Sequence, residues 1–282
     1  MIEIIKDTII DSIKLIPFLF IAFLIIELIE HKLSKKSTQM IYKSGKFGPI
    51  IGSILGAFPQ CGFSVMATNL YITRIISLGT LVAIYLSTSD EMLPIFLSEK
   101  VDLLVIAKIL LLKILIGMIV GFIIDLVLRK KEKKNLNLKY DLCEEEHCDC
   151  SNHLIKSVIK HTLNITIFIM IISFFLNLLF EFVGIDTIKN ILDSSKIIGP
   201  FLASLIGLIP NCGASVAITT LYLNGVLPFS SLIAGLLTGS GVAILVLFRY
   251  NKNLKENIGI LTIIYLIGVL SGIIIEMLGI SV

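Results

Sequence analysis

"AFPQCGFSV" occupies residues 57–65 and "LIPNCGASV" residues 208–216. Each sets Pro, a side-chain amide, Cys and Gly inside an otherwise apolar run. Pro59 has no amide hydrogen, and its ring clashes with the carbonyl four residues back. Gly62 then permits a sharp local turn. Pro210 and Gly213 repeat the pair. Both stretches therefore predict a helix broken in the middle of an apolar run. Unpaired backbone groups do not face lipid, so such a break must be buried in protein or line a wet cavity.

The two stretches are one feature seen twice. Pro49 matches Pro200 at an offset of 151 residues, and one ungapped register extends outward from there. Gly48, Ser53 and Gly56 match Gly199, Ser204 and Gly207. Thr68, Leu70 and Tyr71 match Thr219, Leu221 and Tyr222. Gly117 and Gly121 match Gly268 and Gly272, and Asp125 faces Glu276. The predicted organisation is a first membrane repeat at 1–132, a charged linker at 133–151 and a second repeat at 152–282.

Of the 282 residues, 56% are hydrophobic, against roughly 45–50% in a soluble domain. The mean hydropathy is +0.96. Several apolar stretches reach the roughly 20 residues that cross a bilayer as a helix. The fold class expected is an all-α integral membrane protein. The net charge of +3 implies no nucleic-acid partner. Glu3, Asp7 and Asp11 stand where a cleaved signal would carry basic residues. Five Cys, two in apolar segments and three in a charged loop, do not form a disulfide framework.

Each half reads as a first apolar helix (14–30 and 163–182) and the interrupted run (47–77 and 197–228). A third apolar element (79–98 and 229–248) and a final long helix (102–128 and 257–279) follow. If each interrupted run is two short crossings, there are five segments per half and about ten in all. Lys32, Lys35, Lys36, Lys43, Lys46, Arg74, Arg129, Lys130, Lys131, Lys133, Lys134, Arg249, Lys252 and Lys255 then all fall on one side. Positive loops favour the cytoplasm, so both termini are expected outside and the linker inside. An odd number of crossings per half inserts the second half upside down, which is the inverted-repeat architecture of secondary transporters.

Matched interrupted segments point to a transporter's binding site. The predicted substrate-binding residues there are Gln60, Cys61, Ser64 and Thr68, with Asn211, Cys212, Ser215 and Thr219; the helix-breaking residues are Pro59, Gly62, Pro210 and Gly213. The third element of the first half, "IYLSTSDEMLP", adds Ser89, Asp90 and Glu91. Intramembrane carboxylates are costly and mark ion or proton routes. Their repeat mates are Gly241 and Val242, so only the first half carries this charge. Asp125 and Glu276 are read as structural or interfacial.

The linker stretch "DLCEEEHCDCSNH" (141–153) packs Cys143, His147, Cys148, Cys150 and His153 among acidic residues. Thiolate and imidazole are ligands of zinc-like and softer metals. A short Cys/His-rich tract of this kind reads as metal binding.

The PQCGFS and PNCGAS stretches (59–64 and 210–215), with Ser87-Thr88-Ser89-Asp90-Glu91, resemble the family of ten-segment heavy-metal exporters. Its members are labelled arsenic efflux proteins or manganese transporters and are distantly similar to organoarsenical permeases. The resemblance covers nearly the whole chain, including the Cys/His-rich central loop. It implies export of a metal ion or metalloid across the cytoplasmic membrane, with no permanently bound cofactor and no enzymatic activity. Asp90, Glu91, Gln60 and Asn211 offer the oxygen ligands that Mn²⁺ prefers, whereas the Cys favour zinc-like ions or thiol-seeking arsenic species. No Walker A motif occurs, which argues against ATP hydrolysis within the chain. The expected coupling ion is the proton, exchanged at Asp90 or Glu91 during alternating access. The other expected partners are the bilayer and the cargo, and a homo-oligomer is compatible with the sequence. Two other classes fit some of the same residues: a membrane thiol-redox protein using Cys61 and Cys212, and a membrane-anchored metal sensor using the linker.

Overall fold

The computed structural model describes residues 47–58, 61–89, 92–132, 154–183 and 198–280, with isolated helical positions between 10 and 24. Every regular element among these residues is a helix: α1 Gly48–Gly56, α2 Cys61–Ile72, α3 Leu78–Ser87, α4 Met92–Ser98, α5 Leu103–Glu132 and α6 Leu154–Val183. The series continues with α7 Ile198–Gly207, α8 Cys212–Leu223, α9 Phe229–Thr238, α10 Ala243–Tyr250 and α11 Leu254–Met277. Adding 151 to the first residue of each of α1–α5 lands within one residue of the starts of α7–α11. The turns after α2 and α8 also match, with left-handed backbone at Arg74 (φ 60°) and Gly225 (φ 70°).

The third element differs from its expected form. It is not one helix but two, interrupted between α3 and α4 and again between α9 and α10. Three consecutive hydroxyls end α3. Ser87 Oγ donates to the Ala83 carbonyl at 2.9 Å, Thr88 Oγ1 to the Ile84 carbonyl at 2.8 Å, and Ser89 Oγ to the Ser87 carbonyl at 3.1 Å. Such side chains offer the backbone an alternative to the helical ladder. At the matched place Gly239 leaves the helix, and Gly241 takes φ 56°, a conformation that suits glycine. Joined across their breaks, α3–α4 and α9–α10 form apolar segments of 21 and 22 residues, enough to span a membrane. At 1.5 Å per residue each break lies about 15 Å along its segment, close to mid-depth.

The chain reverses between α1 and α2 and again between α7 and α8. Ideal Cβ atoms on Gly48 and Gly56 would meet Thr80 and Ser87, so α1 runs parallel to α3. Thr68 of α2 meets Tyr85 of α3. In the second repeat, Ser215 of α8 faces Gly239 and Ile218 faces Gly235, so α8 runs antiparallel to α9. The rings of Phe58 and Phe63 touch across the first reversal at 5.4 Å. At 9 to 12 residues, each arm is about 13–18 Å long, half of what a crossing needs. α1–α2 and α7–α8 are thus half-length hairpins. Their tips reach the level of the breaks in α3–α4 and α9–α10.

The two broken segments pass each other in opposite directions. At one end, Arg74 grips Glu256 through two contacts at 3.2 and 3.4 Å, and Tyr71 hydrogen-bonds the same carboxylate. This contact sets the start of α3 beside the end of α10. At the other end Phe96, Tyr222 and Phe229 stack, with centroids 6.2 and 6.3 Å apart, setting the end of α4 beside the start of α9.

The broken segments form the core: 75% of the α3–α4 window and 89% of the α9–α10 window is buried. α5 and α11 lie outside them, with 22% and 33% buried. Their outward rows, such as Leu111, Ile119 and Ile123, or Leu266, Leu270 and Ile274, are exposed leucine and isoleucine. An apolar surface that extensive suits lipid, not water. α5 packs so closely on α3 that Gly121 and Gly79 meet backbone to backbone. Asp125 accepts from Ser77 Oγ at 2.7 Å and from the Gly79 amide at 2.9 Å, and Glu276 accepts from Ser230 Oγ. Both carboxylates therefore serve the N-terminal ends of α3 and α9, where the helix dipole favours negative charge. This agrees with the structural role expected for both.

Candidate functional site

Four chain interruptions converge at mid-depth: two hairpin tips and two breaks in spanning segments. They bring helix N-termini (α2, α8 and α10) and C-termini (α1, α3, α7 and α9) to one level inside the protein. Partial charges of both signs are therefore fixed at that level.

Among the residues expected to bind substrate, the described ones fall into this region. Asn211 is the N-cap of α8, and its side-chain oxygen accepts the Gly213 amide at 3.1 Å. The oxygen expected to serve cargo thus also holds the helix end, as an N-cap does. Pro210 and Gly213 are partly exposed beside it. Cys212 is a reduced, partly exposed thiol at the first turn of α8. One turn further, Ser215 is so near Gly239 that a Cβ there would stand 3.0 Å from its Oγ. This contact joins the second hairpin to the α9–α10 break. Thr219 is wholly buried with no partner for its hydroxyl.

The first repeat is wired differently. Gly62 and Ser64 are buried in the first turn of α2. Thr68 Oγ1 bonds the Ser64 carbonyl at 2.8 Å and the Tyr85 hydroxyl at 2.5 Å. Tyr85 reaches on to the Ala243 carbonyl of α10 at 3.5 Å, bridging the two repeats. Ser89 is buried at the α3–α4 break. Pro59, Gln60, Asp90, Glu91, Cys143, His147, Cys148, Cys150 and His153 lie outside the described residues, as does the side chain of Cys61. Among the described residues, no group of three or more His, Cys, Asp or Glu side chains could hold a metal.

Four polar residues at or near this level were not singled out from sequence. Tyr85 is wholly buried, and its repeat mate is Leu236. Asn69 is wholly buried with neither amide atom partnered. Ser240, the mate of Ser89, is buried with its hydroxyl unpartnered. Lys113 is wholly buried, and its ammonium donates to the Thr88 carbonyl. A lysine inside the apolar run of α5 was a readable signal, because ionisable groups in a membrane face the protein interior. The others became visible only through contacts between distant elements. Buried polar groups normally have partners, so the side chains of Asn69, Thr219 and Ser240 stand out in this region.

A family model described as "Putative, 10TM heavy-metal exporter" matches residues 1–175, 133–248 and 187–280. No curated protein and no solved structure matches the chain.

Proposed function

From the membership of this chain in the "Putative, 10TM heavy-metal exporter" family, we propose that it is a secondary transporter that exports a heavy-metal ion or metalloid across the cytoplasmic membrane by alternating access. The family is one of membrane exporters and not of enzymes. The observation that carries the reading is the meeting of four chain interruptions at mid-depth. It supplies a polar, lipid-free place halfway across the membrane, where transporters of this kind bind substrate.

In this reading the two repeats insert with opposite orientation. The antiparallel passage of α3–α4 and α9–α10 supports it, as does the entry of the two hairpins from opposite ends. Each repeat then has three full crossings, which is odd, plus one half-length hairpin; counting hairpin arms separately gives ten segments. Arg74, Lys252, Lys255 and the basic end of α5 lie toward one face, which the positive-inside rule makes cytoplasmic. The linker at 133–151 would be on that side, offering Cys143, His147, Cys148, Cys150 and His153 to incoming metal. The cargo would meet Cys61 and Cys212, the hydroxyls of Ser64, Thr68, Ser215 and Thr219, and the carboxylates of Asp90 and Glu91. Proton exchange at those carboxylates would couple export to the proton gradient.

Inverted membrane vesicles loaded with this protein test the reading. Mn²⁺, Zn²⁺, Cd²⁺, arsenite and methylarsenite are offered with and without an inward-acidic proton gradient. At least one is expected to accumulate, and to do so several-fold faster with the gradient. Equal uptake in vesicles with and without the protein, for every cargo, would sink it.

A further inference from the structure

We propose that Arg74, Glu256 and Tyr71 form a latch that closes the linker-side face of the transport path, and that this latch parts whenever that face opens. The proposal deepens the alternating-access reading above and rests on it.

The contact joins the two repeats. Arg74 stands in the turn between α2 and α3, and Glu256 in the first turn of α11. Asp125, near the end of α5, meets the start of α3, so the latch lies at the face where the linker begins. The guanidinium also covers the ring of Tyr71, 5.2 Å from its centroid, and Tyr71 is buried. α2 carries the contact inward as one helix of 12 residues. Thr68, about one turn deeper than Tyr71, meets Tyr85, which reaches the start of α10 at Ala243. A movement that parts Arg74 from Glu256 thus shifts α2 against the second repeat as far in as the broken segments.

The register shows that the fold does not need this pair. The mates of Arg74, Glu256 and Tyr71 are Gly225, Val105 and Tyr222. Both turns take left-handed backbone, at φ 60° for Arg74 and 70° for Gly225. Glycine adopts it freely and other residues do not, so the first repeat holds an arginine where the turn itself favours glycine. Asp102 and Asn253, which cap the starts of α5 and α11, are mates as well. That helix start therefore forms with Val105 as it does with Glu256. At the opposite face Tyr222 packs on Phe96 and Phe229 instead of on a carboxylate. One face is held by rings and the other by charge. Charge suits a contact that has to open. Arg74 is half-exposed and Glu256 partly so, and exposed ion pairs exchange for water at little net cost. Strained backbone such as that at Arg74 is found at switch regions.

Vesicles of both orientations, inverted and right-side-out, are treated with a membrane-impermeant maleimide in the absence of cargo. Labelling of Cys143, Cys148 and Cys150 identifies the population that presents the linker face, and the rate at Cys212 is read by mass spectrometry in each. Two variants part the latch by different routes. Arg74→Gly copies the residue at the matched turn, and Glu256→Gln keeps a side chain suited to the third position of a helix. Each is expected to raise the linker-face rate at Cys212 about three- to tenfold, with no rise from the opposite face. The double variant is expected to match the single ones, because both residues act through one contact. An unchanged linker-face rate, an equal rise from both faces, or single effects that multiply would overturn the proposal. So would loss of folded protein in both variants, or a Cys212 that stays unlabelled from the linker face in every form. The assay needs no cargo, so its failure is distinct from a failure of uptake, which would sink the export reading.

Discussion

Replacing Asp90 by Asn is expected to cut cargo accumulation in inverted vesicles by about a hundredfold, equivalent to about 2.7 kcal/mol. Asn has nearly the same shape and keeps a carbonyl oxygen, so the loss isolates the charge. Interactions with a charged partner contribute about 1.5–3 kcal/mol each, and a carboxylate in the role proposed above, toward both metal and proton, would lose more than one. Asp90 directly follows the buried Ser87-Thr88-Ser89 hydroxyls where α3 ends. Its mate in the second repeat is Gly241, so no equivalent group can substitute. Asp102→Asn is the control: that residue is exposed and caps the start of α5 through the Leu104 amide at 3.0 Å. It should transport normally. Undiminished accumulation by Asp90→Asn, at equal amounts in the membrane, would remove Asp90 from the mechanism.

The second large effect is on folding. Gly79→Val is expected to prevent accumulation of folded protein, or to lower the melting temperature in detergent by several degrees, up to about 10 °C. An ideal Cβ on Gly79 would lie 2.2 Å from the Gly121 carbonyl oxygen and 2.4 Å from Asp125 Oδ1. Nothing at the first of these points is a flexible side chain, so α3 and α5 must separate. Overpacking of this kind costs about 1–3 kcal/mol or more. The clash also dislodges the carboxylate that receives the Ser77 hydroxyl and the Gly79 amide. Gly259→Ala gives the contrast, because a Cβ there meets nothing within 4 Å. Alanine in that helix should be neutral or stabilise slightly. A Gly79→Val protein that melts with the unmodified one would show that α3 and α5 do not pack as closely as described.

The duplication and the first pair of interruptions were legible because Pro, Gly and Cys are rare enough to fix a register. The direction of the chain after each interruption was not. Pro59 and Gly62 announce a break, but a break serves a continuing segment and a hairpin equally well. Thr80, Tyr85 and Ser87 decide the matter, as the groups that α1 and α2 meet on α3. The second pair of interruptions was missed for a different reason. In the first repeat Thr88 and Ser89 carry no proline or glycine, and Asp90 and Glu91 drew attention as charges and not as the end of a helix; in the second, Gly239 and Gly241 were a readable sign of a break. Asp125 was read as structural, but its partner on α3 is 46 residues away in sequence. Asn69, Tyr85 and Ser240 belong to the same class: ordinary residues whose importance lies in what other segments bring, or fail to bring, to them.

The central claim is that cargo binds where the hairpin tips meet the broken segments. Cys212 reports on that place directly, because its partly exposed thiol stands at the tip-side end of α8. The unmodified protein is treated with a membrane-permeant maleimide, and the labelling rate of the peptide containing Cys212 is read by mass spectrometry. Cargo identified by vesicle uptake, held at about ten times its dissociation constant, should slow labelling about tenfold, since only the unoccupied fraction reacts. A labelling rate at Cys212 unchanged by saturating cargo that the same protein transports would contradict the account.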